Sequence, residues 1–388
     1  MVAHPATVTS MTRFASSLSR DPDPVEAVGN AAAEILEAFD GDAPDLVVCF
    51  ASPHFVGAFE DMASGLRDVL MPRALLGTTA VSVVGGAHEV EDAPALSVFA
   101  ARVPDARLTP VSLEVHDTPD GPAIVGWPDL DHEPSTLLLL ADPYTFGVDQ
   151  FLRRVDVDQP DLQVIGGLAS AATRPGGDRL VLDERVVSSG AVGIFVAGVP
   201  IRTLVSQGCR PVGKPYVVTR ADRNIVLELG GQPALERLRQ CAAQASDDDR
   251  QRMGNGLHIG VVVDERKAQF TRGDFLVRNI VGVDAKAGAV AFGDHVAVGQ
   301  TIQFHVRDAT AADEDLRQLL VGVDAKAALL FTCNGRGRRL FGIADHDAGL
   351  VDRLLGPLPL AGAFCAGEIG PIGGHNFLHG FTASLALF

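Results

Sequence analysis

The strongest constraint on what this chain can fold into is its punctuation: short apolar, β-favouring runs recur along most of its length, each closed by glycine or a turn residue. After Leu75 they follow one another as LLGTTAVSVVGG, ALSVFAARV, VSLEVHD and STLLLLADP, then LQVIGGLAS, RLVLDE, AVGIFVAG, IRTLVSQG, PYVVTRA and NIVLELG. Their hairpin-like spacing predicts strands with mainly antiparallel pairing. Helical periodicity is confined to a few stretches: Val25 to Phe39 behind the Asp23-Pro24 cap, Phe55 to Leu70, Phe146 to Val155, the segment opened by Pro233, Asp313 to Leu320 and His346 to Leu355. These are too few to cover every strand face. The expectation is an α+β protein in two halves, each a mixed, mainly antiparallel sheet with outer helices, packed sheet-on-sheet.

At 388 residues the chain exceeds the ~250 to 300 at which single cores stop growing. The acidic run SDDDRQRMGNG, Ser246 to Gly256, reads as an exposed loop close to the boundary between halves. VGVDAK occurs at Val281 and at Val321, in contexts different enough that the repeat is read as coincidence.

The 49 acidic residues outnumber 32 Lys and Arg, and a net charge of −17 repels phosphate backbones, so nucleic acid is not an expected partner. The longest apolar run, Ala191 to Ile201, falls well short of the ~20 residues of a spanning helix, and the N-terminus lacks a signal-peptide pattern. A cytoplasmic protein without membrane association is expected. Its five cysteines are odd in number and widely spaced, which fits reduced thiols and gives no four-cysteine zinc motif.

Three segments place a cysteine at the end of an apolar strand, followed by glycine and a polar residue: SQGCRPVGKPY at Cys209, FTCNGRGRRLFG at Cys333 and AGAFCAGEIGPIGGHNFLHGFT at Cys365. Strand ends of this kind suit a pocket rim, because glycine lets backbone approach a ligand and the ends expose NH groups. The last segment crowds Cys365, Glu368, His375, Asn376, His379 and Thr382 into an otherwise apolar stretch, and the three segments are expected to converge on one pocket.

These segments, with VIGGLAS near Ile165, SGAVGIFVAG near Gly190, the run from Ser206 to Leu235 and TIQFHVRDA from Thr301, resemble the FIST proteins over nearly the whole chain. The resemblance implies a flexible N-terminus and first strand over 1–20, a FIST N-terminal domain over 21–232 and a FIST C-terminal domain over 233–388. It implies small-ligand sensing, for compounds such as amino acids, with no established reaction and no cofactor. No kinase, cyclase or F-box segment accompanies the two regions, so output would pass through a separate signalling protein. Where the N-terminal region of the family often carries Gly-Cys-Thr, this chain has Gly77, Thr78 and Thr79. The positions carried over as ligand-binding are Cys209, Arg210, Cys333, Asn334, Arg336, Cys365, Glu368, Asn376 and His379. In that role the arginines would meet a ligand carboxylate, Glu368 an ammonium, and the asparagines would donate and accept at once.

Three other readings compete. A metal site would use His375 and His379 with Cys365 or Cys333. A cysteine-dependent hydrolase or transferase would use Cys365 as nucleophile, His379 or His375 as base and Glu368 as orienter, although a reactive thiol wants a cationic neighbour and the nearest charge is an acid. A ligand-independent protein-interaction module would use the glycine-rich rim for docking.

Overall fold

The computed structural model describes residues 12–119, 121–130 and 133–388. Of the expected flexible N-terminus, residues 1–11 lie outside the described residues; the first strand is present and begins at Arg13.

Three units of one plan succeed one another. The first runs β1 (Arg13–Ser19), α1 (Pro24–Ala38), β2 (Leu46–Ala51), α2 (Phe59–Leu70), β3 (Ala74–Thr79), a hairpin of β4 (Ser82–Gly85) and β5 (His88–Glu91), then β6 (Leu96–Arg102). The second runs β7 (Arg107–Thr118), β8 (Gly121–Val125), β9 (Thr136–Ala141), α3 (Val148–Asp158), β10 (Gln163–Leu168), a hairpin of β11 (Leu180–Leu182) and β12 (Arg185–Val187), then β13 (Ala191–Ala197). The third opens with β14 (Arg202–Gln207) and is then interrupted by β15 (Cys209–Asp222), β16 (Ile225–Leu229), β17 (Gln232–Pro233), α4 (Ala234–Gln244), α5 (Asp247–Asn255), β18 (Leu257–Val262), β19 (Phe275–Asp284), β20 (Ala289–Phe292) and β21 (Thr301–Arg307). It resumes with α6 (Ala309–Leu320), β22 (Ala328–Cys333), α7 (Arg338–Phe341), α8 (His346–Leu355), β23 (Leu360–Cys365), a hairpin of β24 (Glu368–Ile372) and β25 (His375–His379), and β26 (Thr382–Leu387).

Within each unit a central pair is parallel, β2 with β3, β9 with β10, β22 with β23, joined by a helical crossover as parallel pairing requires. The hairpin that follows leaves its own sheet. β4–β5 joins β23, β11–β12 joins β3, and β24–β25 joins β10, so each sheet is completed by its neighbour in a cycle. The inner faces of the three sheets pack on one core containing Phe50, Phe99, Leu138, Ile165, Ile194, Phe331 and Cys365, while α1 with α2, α3, and α6 with α8 cover the outer faces. Strands buried on both faces explain the continuous apolar runs such as LVVCFA and TLLLLA. We call this body the prism.

The insertion is a barrel. β15 is long enough to pair with β21 through its first part and with β16 through its last, closing the order β15-β21-β18-β19-β20-β16 into a ring around Val218, Ile259, Phe292 and Phe304. The architecture is thus α+β with mostly antiparallel sheets packed together, as expected, but the two halves interlace through the exchanged hairpins. The segment from Ser246 to Gly256 is exposed as expected but is a helix, α5 (Asp247–Asn255) with its two caps, and not a loop. Ser246 accepts from the Asp249 amide, and Asp247, Asp248 and Asp249 place negative charge in the first turn, where the helix dipole favours it. The helix buries no residue, so it gives no periodic apolar signal. Among the described residues no helix is long and apolar enough to cross a membrane.

Candidate functional site

Barrel and prism meet along a seam, and a cleft of about 320 Å³ opens there, within the range of small-molecule sites. β19 supplies Val277, Arg278 and Asn279; α3 supplies Asp149; the prism supplies Cys333, Asn334, Gly367, His379 and Phe381. Arg278 binds Asp294 at 3.1 Å on its own barrel and Asp149 at 3.3 Å across the seam. Burial raises the Asp149 pKa, the guanidinium of Arg278 opposing it. Phe381 forms the cleft's aromatic wall with φ at 66°, a left-handed conformation that a bulky residue adopts only when its surroundings hold it there. Its ring faces His258, centroids 4.4 Å apart, with the Arg307 guanidinium 5.2 Å from its centroid.

Behind the cleft lies a buried knot built by the ends of β15, β22 and β23. Cys333 and Cys365 are register partners on parallel strands, and Cys333 sits close enough to both Cys209 and Cys365 for its thiolate to raise their pKa values. Glu368 is fully buried. One of its oxygens accepts from the Thr382 amide at 3.0 Å and hydroxyl at 2.7 Å, while Oε1 meets no group in hydrogen-bonding geometry among the described residues and has the Cys333 thiol close by. Burial pushes its pKa up to about 8 against the pull of the Thr382 bonds, Arg336 and the Cys333 thiol. Arg336 is equally buried and grips Asp347 with Nε at 2.7 Å and Nη2 at 2.8 Å, leaving Nη1 unpartnered and directed towards Gly208, where an added Cβ would stand 3.2 Å away.

The structure therefore brings Cys209, Cys333, Cys365, Glu368 and Arg336 together, with Asn334 and His379 on the cleft wall in front of them. Two candidates stand elsewhere. Arg210 binds Asp308 at 2.6 Å and Asp249, clasping α5 to the cap of α6. Asn376 accepts from the Val164 amide at 2.7 Å and donates to Asp156 at 2.8 Å and the Leu162 carbonyl at 2.9 Å, fastening β25 beside α3 and β10. The residues that the sequence reading passed over are Asp149, Arg278, Asn279 and Phe381. Only Phe381, an aromatic inside HGFT where a turn is required, left a local trace.

Burial pushes the Cys209 and Cys333 thiols up to about 12 and Cys365 well above the ordinary thiol value. Cys365 donates to the Ala363 carbonyl at 3.6 Å, and His379 bonds the Gly370 carbonyl through Nε2 at 2.9 Å, with burial depressing its pKa to about 4. No hydrogen bond joins that thiol to that imidazole, so the nucleophile–base contact of a cysteine enzyme is missing from the pair proposed for it. Exposed His375 pairs with Asp156 and has the Phe377 ring between it and His379, and no cluster of three or more His, Cys, Asp or Glu suited to a metal ion occurs among the described residues.

Residues 45–232 match the family model described as the FIST N domain and residues 234–371 that of the FIST C domain. An uncharacterised protein of Mycobacterium tuberculosis is 43% identical over 383 residues, covering 97% of this chain and 99% of its own. An uncharacterised protein of Mycobacterium bovis is likewise 43% identical over 383 residues, covering 97% of this chain and 98% of its own.

Proposed function

Because the chain belongs to the FIST family, whose domains are regarded as small-ligand-binding signalling domains, we propose that it holds a small zwitterionic metabolite of amino-acid size in the seam cleft and reports occupancy to a separate partner. The observation that carries this reading is the Arg278–Asp149 pair, which spans the cleft between barrel and prism at 3.3 Å. A zwitterion offers a carboxylate to Arg278 and an ammonium to Asp149, replacing one ion pair by two, and the planar guanidinium suits carboxylate geometry. Asn279, Asn334 and the wall formed by Cys333 and His379 would fix orientation. Glu368, Arg336, Cys209 and Cys365 would hold that wall from behind, and Arg210 and Asn376 would act at one remove by anchoring α5 and β25. Since the Arg278–Asp149 pair ties the barrel to α3, a ligand exchanging with it would alter how barrel and prism are held, which a partner resting on both could read. Five buried free thiols and the acidic surface suit the reducing cytoplasm.

The test is calorimetric titration of the whole chain with a panel of amino acids and related metabolites, alongside Asp149→Asn and Asn334→Ala, both outside the buried knot. Saturable binding weakened about tenfold or more by either variant supports the assignment. Binding by no compound, with a partner captured equally well in the presence and absence of the panel, would replace it with a ligand-independent interaction module.

A further inference from the structure

Along the same seam a second, smaller hollow of about 180 Å³ is lined by Arg252, Asn255 and Gly256 from the end of α5, Arg307 from β21, and Arg339 and Leu340 from α7. Three guanidiniums around so small a space are unexpected in a chain of net charge −17, and no carboxylate is part of the lining. Arg252 is engaged at its rim by Asp248 at 3.0 Å and Asp308 at 3.6 Å. Arg307 and Arg339 have no carboxylate partner among the described residues; Arg307 donates through Nη2 to the Gly335 carbonyl, and its Nε is buried with nothing to donate to. A second, independent sign lies behind Gly256. His258 is 4% exposed; Asn279, its register partner on β19, lies near enough to raise its pKa, yet no group among the described residues is in hydrogen-bonding geometry with either ring nitrogen, and Nε2 stands 3.6 Å from where a Cβ on Gly256 would be, so this glycine leaves the imidazole within reach of the hollow. Buried polar groups in native proteins are nearly always satisfied, so two such groups beside one hollow, Arg307 Nε and the His258 imidazole, mark it as a place for an acceptor.

We propose that this hollow binds a small tetrahedral oxyanion, inorganic phosphate or the phosphate end of a metabolite, held by Arg307 and Arg339 with Arg252 and His258 completing the shell. A phosphate carries more charge and more oxygens than a carboxylate, so it suits several guanidinium donors approaching from different directions at once. The space admits a phosphate group but not a nucleotide. The α5 carbonyls at this end oppose an anion, and the Arg252 guanidinium in the same turn offsets them. The long-range repulsion of the acidic surface is screened within roughly 8 Å at physiological salt, so the local arginines govern binding.

The experiment is calorimetric titration of the whole chain with inorganic phosphate, glycerol phosphate and acetate at constant ionic strength. Arg339→Gln, Arg339→Lys and the cleft variant Asn334→Ala are run in parallel. Arg339 is exposed, so its variants keep the fold. Saturable binding of phosphate or its monoester, weakened about tenfold or more in R339Q, partly recovered in R339K and unchanged in N334A, is the expected result, and the tighter of the two probes identifies the source. Absence of saturation by both, equal affinity in R339Q, or acetate binding as tightly as phosphate would overturn it.

Discussion

Arg336 and Asp347 form a bidentate ion pair with both side chains at 0% exposure, the deepest charge pair described in the protein. Its surroundings come from three parts of the chain. Thr332 donates to Asp347 at 2.8 Å from β22, His346 approaches it at 2.9 Å from the preceding position, and Glu89, on the hairpin that unit one lends to the third sheet, accepts from the Asp347 and Ala348 amides at 2.8 and 3.0 Å. The α8 N-terminus is thus satisfied by a residue more than two hundred positions earlier, so the cyclic exchange of hairpins also completes the polar interior of the sheet it enters.

Removing one partner of that pair leaves an uncompensated buried charge. Asp347→Ala is expected to lower stability by about 3 to 5 kcal/mol. The exposed i,i+4 pair of Arg154 with Asp158 is the contrast, and Arg154→Ala should change stability by under about 1 kcal/mol. Urea unfolding of both variants measures the difference; equal effects would show that burial does not set the weight of these pairs.

Stability should peak near pH 6.5. Burial raises Glu89 and Glu368 from 4.5 to about 8, so between those values the folded chain retains protons that the unfolded chain releases, and stability falls as pH rises. Burial lowers His258, His305 and His379 from 6.5 to about 4, so below 6.5 the unfolded chain takes up protons that the folded chain refuses, and stability falls as pH drops. Three histidines outweigh two carboxyls below 6.5, and above it the carboxyls act alone. Glu368→Gln should therefore roughly halve the decline between pH 6.5 and 8, as read from chemical unfolding at several pH values. An unchanged slope would mean that Glu368 is already ionised at neutral pH.

Gly77, Gly166 and Gly362 hold the same place in the three units. Each faces its partner on the parallel neighbour, Cys49, Leu139 and Leu330, whose carbonyl oxygens would lie 2.6, 1.8 and 1.9 Å from an added Cβ. Backbone cannot retreat from such contacts without breaking the ladder. Gly166→Ala and Gly362→Ala should each cost about 3 kcal/mol. Gly29→Ala, in helix α1 with no atom within 4 Å of the new methyl, should instead gain roughly 1 kcal/mol. Thermal unfolding would show opposite signs.

Those glycines also show where the sequence is legible. LLGTTA, VIGGLA and LAGAFC carry a shared apolar-apolar-Gly signal at the three equivalent strands, yet their flanks diverge too far for pattern alone to equate them. The literal repeat VGVDAK has no shared conformation, its first copy ending β19 and its second lying in the turn after α6. Strands buried on both faces announce themselves through continuous apolar runs, and most helices through their periodicity, because both signals are local. The exchange of hairpins, the closure of the barrel through β15 and the choice of Asp347 for Arg336 and of Asp249 and Asp308 for Arg210 depend on contacts between distant segments. So does the cleft, whose walls come from α3, β19 and the turn at Phe381. The cysteine-rich segments could be recognised as neighbours in space, while Asp149 and Arg278, each an unremarkable surface charge in sequence, could not.

The cysteines separate a sensor from a thiol enzyme most directly. All five are buried. Burial pushes Cys49, Cys209 and Cys333 up to about 12 and raises Cys241 and Cys365, so at neutral pH every thiol holds its proton and the nucleophilic thiolate is scarce. Cys333 reaches the cleft wall, yet the Glu368 carboxyl behind it raises the thiol's pKa and does not lower it. Mass-spectrometric counting after brief iodoacetamide treatment at pH 7.5 should find the native chain essentially unlabelled and the urea-unfolded chain labelled at all five positions. Rapid, selective modification of native Cys333 or Cys365 would require a depressed pKa that this burial does not provide, and would turn attention from recognition to covalent chemistry at the same wall.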